Sequence, residues 1–169
     1  MTAPVERISL VVIGVGNPDR ADDGIGPLVA ARLGMLPGAR IMSCNSDGFT
    51  LIEEWSGADI VVLIDAATTV SAPGRIHRID LSSDELPCEL GIASTHAFGI
   101  AEAVALARAL DRLPRRLVIY AVEGVCFDYG ADMTPEVAAA VDEVAGLVAA
   151  EAAGCLPNSM RTDAWRTDP

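Results

Sequence analysis

The side chains able to do chemistry in this sequence are few and fall in short clusters. Asp19, Asp22 and Asp23 crowd the segment NPDRADDGIG, Asp65 closes the apolar run VVLID, and the two histidines are His77 in RIHRID and His96 in ASTHAFGI. Two carboxylates and one imidazole make a donor set that suits a divalent transition ion with positions left open for something else. Each member has a plainer reading. Asp22 and Asp23 suit an acidic pair capping the helix that follows them, and Asp65 suits a turn or helix cap. A lone His at a helix start is more often an ordinary polar residue than a ligand. His77 falls on an alternating position of an edge strand and reads as solvent-facing.

Other familiar chemistries fail on spacing. GVGNPD puts Asp19 where the third glycine of a dinucleotide fingerprint belongs, and the acidic loop would repel a pyrophosphate at the helix start. Ser94 and Thr95 read as the N-cap of the helix carrying His96, because GIASTH has no nucleophile-elbow spacing. Cys44, Cys88, Cys126 and Cys155 form no CxxC pair, which argues against a zinc ribbon or a dithiol redox site and leaves buried thiols as the expectation. Cys88 lies eight residues before His96, so a thiol protease stays open at low rank.

The elements that must position these residues are βα units. ISLVVIGVG, from Ile8 to Gly16, is too uniformly apolar for a one-sided strand and reads as central. A helix is expected from Ile25, with Pro27 in its first turn and Pro37-Gly38 at its end. A short strand follows from Arg40 to Cys44, then a helix from about Thr50 to Trp55. Asp59 to Ala66 reads as a second buried strand, which brings Asp65 to its end. Arg75 to Asp80 alternates as an edge strand, and Leu81 to Thr95 lacks periodicity and reads as a functional loop. A helix from about Ala97 to Leu110, a strand from Arg115 to Gly124 and a long helix from Pro135 to Ala153, opened by Thr134, complete the pattern. In an open α/β sheet the loop with Asp23, the end of the Asp65 strand and the helix start at His96 reach one rim if the crossovers are alike.

Composition narrows the class. A length of 169 residues suits one domain, here residues 1–153, with 154–169 a flexible tail. Twelve basic against twenty-four acidic residues give a net charge of −12, which disfavours nucleic acid and anionic membranes as partners. No apolar run reaches the roughly 18 residues of a membrane span, so a soluble cytoplasmic protein is expected.

In this order, GVGNPDRADDGIG, SDGFT at Ser46 to Thr50, VVLIDAATTVSAPGRI, STHAFGIAEAVALA, RRLVIYAVEG and MTPEV resemble the hydrogenase maturation endopeptidases, from about Ile8 to Val148. The resemblance implies a three-layer α/β fold with a twisted, mostly parallel sheet of about five strands flanked by helices. It implies that Asp23, Asp65 and His96 are the catalytic and metal-binding residues, and that Asp47 and Gly48 belong to a loop concerned with substrate choice. Many relatives carry Glu at the Asp23 position, an apolar residue at Asp19 and Pro at Gly124. The implied activity is removal of a C-terminal peptide from the precursor of a nickel-iron hydrogenase large subunit once nickel is inserted. The nickel would come with this transient partner, the protease would hold no metal tightly of its own, and a monomer suffices. The sequence leaves open a checkpoint protein that docks the metallated precursor without cutting it, and a small hydrolase with its own zinc.

Overall fold

A computed structural model of the chain describes residues 8–45, 47–86 and 99–156. The strongest apolar runs form the middle of its sheet. β1 (Leu10–Val15) is buried along its whole length, and β3 (Ile60–Thr68) and β5 (Arg116–Gly124) are buried except at their ends. Strands covered on both faces lose the alternation of a half-exposed strand, and that is why these runs are continuous. β2 (Ala39–Cys44) and β4 (Ile76–Asp80) keep a mixed pattern and take the two edges. The order is β2-β1-β3-β5-β4. β1 pairs in parallel with β2 and β3, and β3 with β5, whereas β4 runs antiparallel to β5. The five-stranded, mostly parallel sheet matches the expectation, and the reversed edge strand was not foreseen.

Strand parity sorts the core into two layers. Even-numbered residues such as Val12, Val62, Ile64 and Val118 pack beneath α1 (Ile25–Leu33) and α4 (Pro135–Cys155). Odd-numbered residues such as Ile13, Leu63, Ile119 and Ala121 pack beneath α2 (Gly48–Trp55) and α3 (Ile100–Ala109). Burying an aliphatic side chain of this kind stabilises by about 1.5–3 kcal/mol.

Several boundaries differ from the sequence reading. α1 stops at Leu33 because Gly34 adopts φ 64°, a left-handed conformation that ends helices and favours glycine, four residues before Gly38. α3 begins at Ile100, with Gly99 as N-cap donating its N–H to Glu102 at 3.0 Å. The expected caps Ser94 and Thr95, like Cys88 and His96, lie outside the described residues. α4 begins after Thr134 and continues to Cys155, two residues past the expected Ala153. Of the described cysteines, all free, Cys44 is buried while Cys126 and Cys155 are only partly so, which corrects the expectation of uniformly buried thiols.

Candidate functional site

The connection from β1 goes outward to β2, and the chain then returns past β1 to β3. The strand order therefore reverses between β1 and β3, and such a switch point opens a crevice at the carboxyl ends of the strands. The register shows the opening directly. β1 and β3 pair as far as Gly14 with Ile64, while β3 and β5 stay paired to Thr68 with Gly124. Asp65 is the first residue of β3 past the shared register. It lies within the strand, three residues before its end, and not at its terminus as the sequence suggested.

Asp23 reaches this crevice from the 3₁₀ turn Ala21–Gly24 that joins β1 to α1. Its carbonyl oxygen would lie 2.0 Å from a Cβ on Gly16, whose φ of 133° also excludes most side chains, so glycine at 16 lets the turn fold back over β1. Asp23 is 2% exposed and Asp65 4%. The Asp23 carboxylate accepts the Asn17 N–H at 2.9 Å and stands 3.6 Å from the Arg20 guanidinium. Asp65 accepts the N–H of Ala66 at 2.8 Å. Burial pushes the Asp65 carboxyl well above the usual carboxylate range, the negative charge of Asp23 adds to this, and the Ala66 hydrogen bond opposes it. A buried carboxyl raised in this way beside a second carboxylate is poised for a proton or a cation.

Asp22 has a different task. It is fully buried and accepts the N–H of Val125 at 2.8 Å, of Cys126 at 3.0 Å and of Thr134 at 2.7 Å, together with the Thr134 hydroxyl. The plainer reading of an acidic cap pair does not hold: neither Asp22 nor Asp23 caps the helix that follows, and Asp22 instead ties that turn to the loop after β5 and the start of α4. Gly124 makes room for this, since a Cβ there would meet the Asp22 Cβ at 2.7 Å. Thr134 stands at the N-cap position of α4 but spends its side chain on Asp22.

His96 lies outside the described residues. α2 and α3 pack side by side, and α3 leads into the first residue of β5, so the start of α3 at Ile100 is at the carboxyl edge where the crevice opens. Asp47 and Gly48 are on the same edge, at the start of α2 after β2. Asp47 is the N-cap of α2 and accepts the Phe49 N–H at 3.0 Å, and Gly48 is buried. Among the described residues no group of three or more His, Cys, Asp or Glu side chains is arranged to hold a metal ion. Asp23 and Asp65 by themselves supply an incomplete set.

Glu123 is the residue that sequence reasoning missed. It is wholly buried, on the same sheet face as Asp65, and its carboxylate accepts the N–H groups of Val70, Ser71 and Ala72 at 2.8, 2.8 and 3.0 Å. The Ser71 hydroxyl donates at 2.7 Å, and His77 Nε2 lies 2.6 Å away. Burial alone would raise this carboxyl, yet the Ser71, His77 and Val70 hydrogen bonds hold it well below the usual range. His77 is therefore not a solvent-facing bystander; it pairs with Ala121 across the sheet and turns to Glu123. The available signal was a single glutamate inside the apolar run LVIYAVEG.

A model of the hydrogenase maturation protease family matches residues 35–151. The chain is 30% identical over 135 residues to the hydrogenase expression/formation protein HupD of Thiocapsa roseopersicina, covering 76% of this chain and 60% of that protein. It is 30% identical over 129 residues to HoxM of Azotobacter vinelandii, covering 73% and 59%. The chain thus spans about 60% of the length of these curated relatives. Among solved structures, the hydrogenase maturating endopeptidase HybD from E. coli superposes with a TM-score of 0.69 at 22% identity, over 89% of this chain and 98% of that one. The NiFe hydrogenase maturation protease HybD from Thermococcus kodakarensis gives 0.68 at 21% identity, over 85% and 99%. These two likenesses are of fold.

Proposed function

The chain belongs to the hydrogenase maturation protease family, and from that premise we propose that it removes a C-terminal peptide from the precursor of a nickel-iron hydrogenase large subunit after nickel insertion. The observation that carries the reading is the pair Asp23 and Asp65, buried side by side at the switch-point crevice with Asp65 lacking a cationic partner among the described residues. A buried carboxylate is ordinarily neutralised by a cation or by several N–H donors. Among the described residues Asp65 has one such donor and a like charge beside it, so a cation delivered from outside would relieve both.

In this reading the cation is the nickel already bound to the precursor. Asp23 and Asp65 meet it, His96 joins them as the third donor, and Asp65 gives up its proton on engagement. The protease thereby distinguishes loaded from empty precursor by charge. Asp47 and Gly48, at the start of α2 on the same edge, contribute to the choice of precursor. The encounter is transient, takes place in the cytoplasm and needs one copy of the chain. Among the described residues no helix is long and apolar enough to cross a membrane.

Incubating the purified protein with nickel-loaded and nickel-free precursor and resolving the products by mass tests the proposal. The loaded form should lose its C-terminal peptide while the empty form stays intact. Binding without cleavage would favour a checkpoint role, and equal cleavage of both forms would remove nickel from the recognition step. Elemental analysis after dialysis should find less than one metal ion per chain; stoichiometric zinc would favour a self-contained zinc hydrolase.

A further inference from the structure

Among the described residues Arg20 is the one buried arginine, and it stands at the head of the turn that carries Asp23. Two parts of the chain fix it there. Within the turn, Arg20 N donates to the Asn17 carbonyl, the Arg20 carbonyl accepts the Asp23 N–H at 3.0 Å, and Arg20 Nη1 lies 3.6 Å from Asp23 Oδ2. From the loop after β5, the Tyr129 ring lies under the guanidinium, with its centroid 5.1 Å from Cζ. Gly130 N donates to the Asp19 carbonyl at 2.8 Å, which ties the loop that supplies the ring to the residue before Arg20. A carboxylate and an aromatic ring thus hold one buried cation at the crevice. The fixed charge has a consequence for any second cation. A divalent ion taken up by the Asp23 carboxylate comes within about 6–8 Å of the guanidinium, where repulsion is worth about a factor of ten in affinity at the dielectric of water and more in a desolvated crevice. A free ion must overcome this with the crevice alone. An ion already held by a docked protein arrives with contacts elsewhere that raise its effective concentration.

Resting on the reading of this chain as a nickel-dependent processing protease, we infer that Arg20 is a specificity-determining residue whose charge beside Asp23 keeps loose divalent cations out of the crevice, so that nickel is accepted when the precursor presents it. The ions refused are free divalent transition ions, which a pair of carboxylates would otherwise collect. Tyr129 is a positioning residue that acts through Arg20, holding the guanidinium at Asp23. Arg20 needs no contact with the nickel, because its effect is electrostatic.

The test is equilibrium titration of Ni²⁺ into the full, tag-free chain at about pH 7.5, with thermal unfolding measured in parallel. Arg20→Met keeps a long apolar stem without the charge, and should bind free Ni²⁺ about tenfold more tightly than wild type. Adding Asp23→Asn should abolish that gain, which assigns it to this carboxylate. Tyr129 is 71% exposed, so Tyr129→Ser should fold like wild type, and it should tighten Ni²⁺ binding about threefold by loosening the hold on Arg20. An arginine with a merely structural role would lower Tm on replacement without tightening metal binding. In processing of nickel-loaded precursor, free Ni²⁺ should inhibit Arg20→Met at about a tenth of the concentration that inhibits wild type. Unchanged or weaker Ni²⁺ affinity in folded Arg20→Met overturns the inference while leaving the protease reading intact. If Arg20→Met does not fold, unchanged affinity in Tyr129→Ser overturns it. A gain that survives Asp23→Asn overturns it too, because the ion is then bound elsewhere. Wild-type protein that leaves the loaded precursor uncut overturns the protease reading, and the titration then still decides whether Arg20 guards the crevice.

Discussion

The two ends of the sheet handle buried negative charge in opposite ways. At the amino end, Asp80 and Glu151 sit among arginines: Arg116 Nη2 lies 3.1 Å from Asp80 and 3.0 Å from Glu151, and Arg78 Nε lies 2.8 Å from Glu151. The Arg78 hydrogen bond holds Glu151 below the usual carboxylate range, and Asp80 is lowered despite its burial by Ser82 and Arg116. Tyr120, which donates to Glu151 at 2.8 Å, is pushed up to about 12 by its burial and by that bond. At the carboxyl end, Asp22, Asp23, Asp65 and Glu123 are all buried; among the described residues Arg20 pairs with Asp23, and His77 is hydrogen-bonded to Glu123. Asp22 and Glu123 are satisfied by N–H and O–H donors. Among the described residues, Asp65 alone combines burial, a single N–H donor and a like charge. One end is a closed network that joins β4, β5 and α4; at the other, among the described residues, one carboxylate has no opposite charge beside it, and that is where the proposed reading puts an external cation.

The comparison breaks most visibly at Asp65 and Asp23. Replacing either with Ala should reduce processing of nickel-loaded precursor at least about a hundredfold with the fold retained. Combining Asp65→Ala with His96→Ala should be scarcely worse than either alone, because groups that act as a unit lose function together. Processing that survives at half the wild-type rate in Asp65→Ala would end the cation reading. Next in size is a stability effect at the same end. Asp22→Ala orphans three backbone N–H groups, each costing about 1–3 kcal/mol, so chemical denaturation should report a loss of about 3 kcal/mol or more. A loss under 1 kcal/mol would mean that the Asp22 clamp is redundant.

At the amino end the expected effects are smaller and leave function alone. Arg116 is partly exposed, so Arg116→Met should cost about 1–2 kcal/mol, less than a fully buried pair would, with the processing rate of the folded protein unchanged. The smallest effect is the most diagnostic. Because the folded state holds the Asp65 proton more tightly than the unfolded chain, Asp65 lowers stability progressively as pH rises from about 4 toward its raised folded value. Asp80 and Glu151 have the opposite sign: they stabilise above about pH 4, and that contribution fades as pH falls through their lowered folded values. Asp65→Asn should therefore raise Tm at pH 7 by about 2–4 °C, with the advantage shrinking toward pH 4. A difference that stays constant across that range would refute the uncompensated charge.

Much of this was legible from local pattern. The continuous runs at β1, β3 and β5 marked buried strands, the mixed run at β4 marked an edge, and Pro135 after Thr134 marked the start of a long helix. Such patterns report burial within a few residues along the chain, which is the range over which helix and strand periods operate. The acidic character of the switch-point loop and the arrival of Asp65 at the same rim also followed from the order of elements.

What sequence could not decide was which partner each polar side chain would find. Asp22 and Asp23 are adjacent and alike, yet Asp22 clamps Thr134, 112 residues away, while Asp23 turns into the crevice. His77 looked exposed until β4 reversed direction and set it beside Glu123, 46 residues on. Periodicity is a one-dimensional signal, and it carries no information about which distant donor will desolvate and bond a given carboxylate. That pairing is a tertiary decision, and here it separates Asp22 and Glu123, which tie loops together, from Asp65, which the proposed reading assigns to a cation.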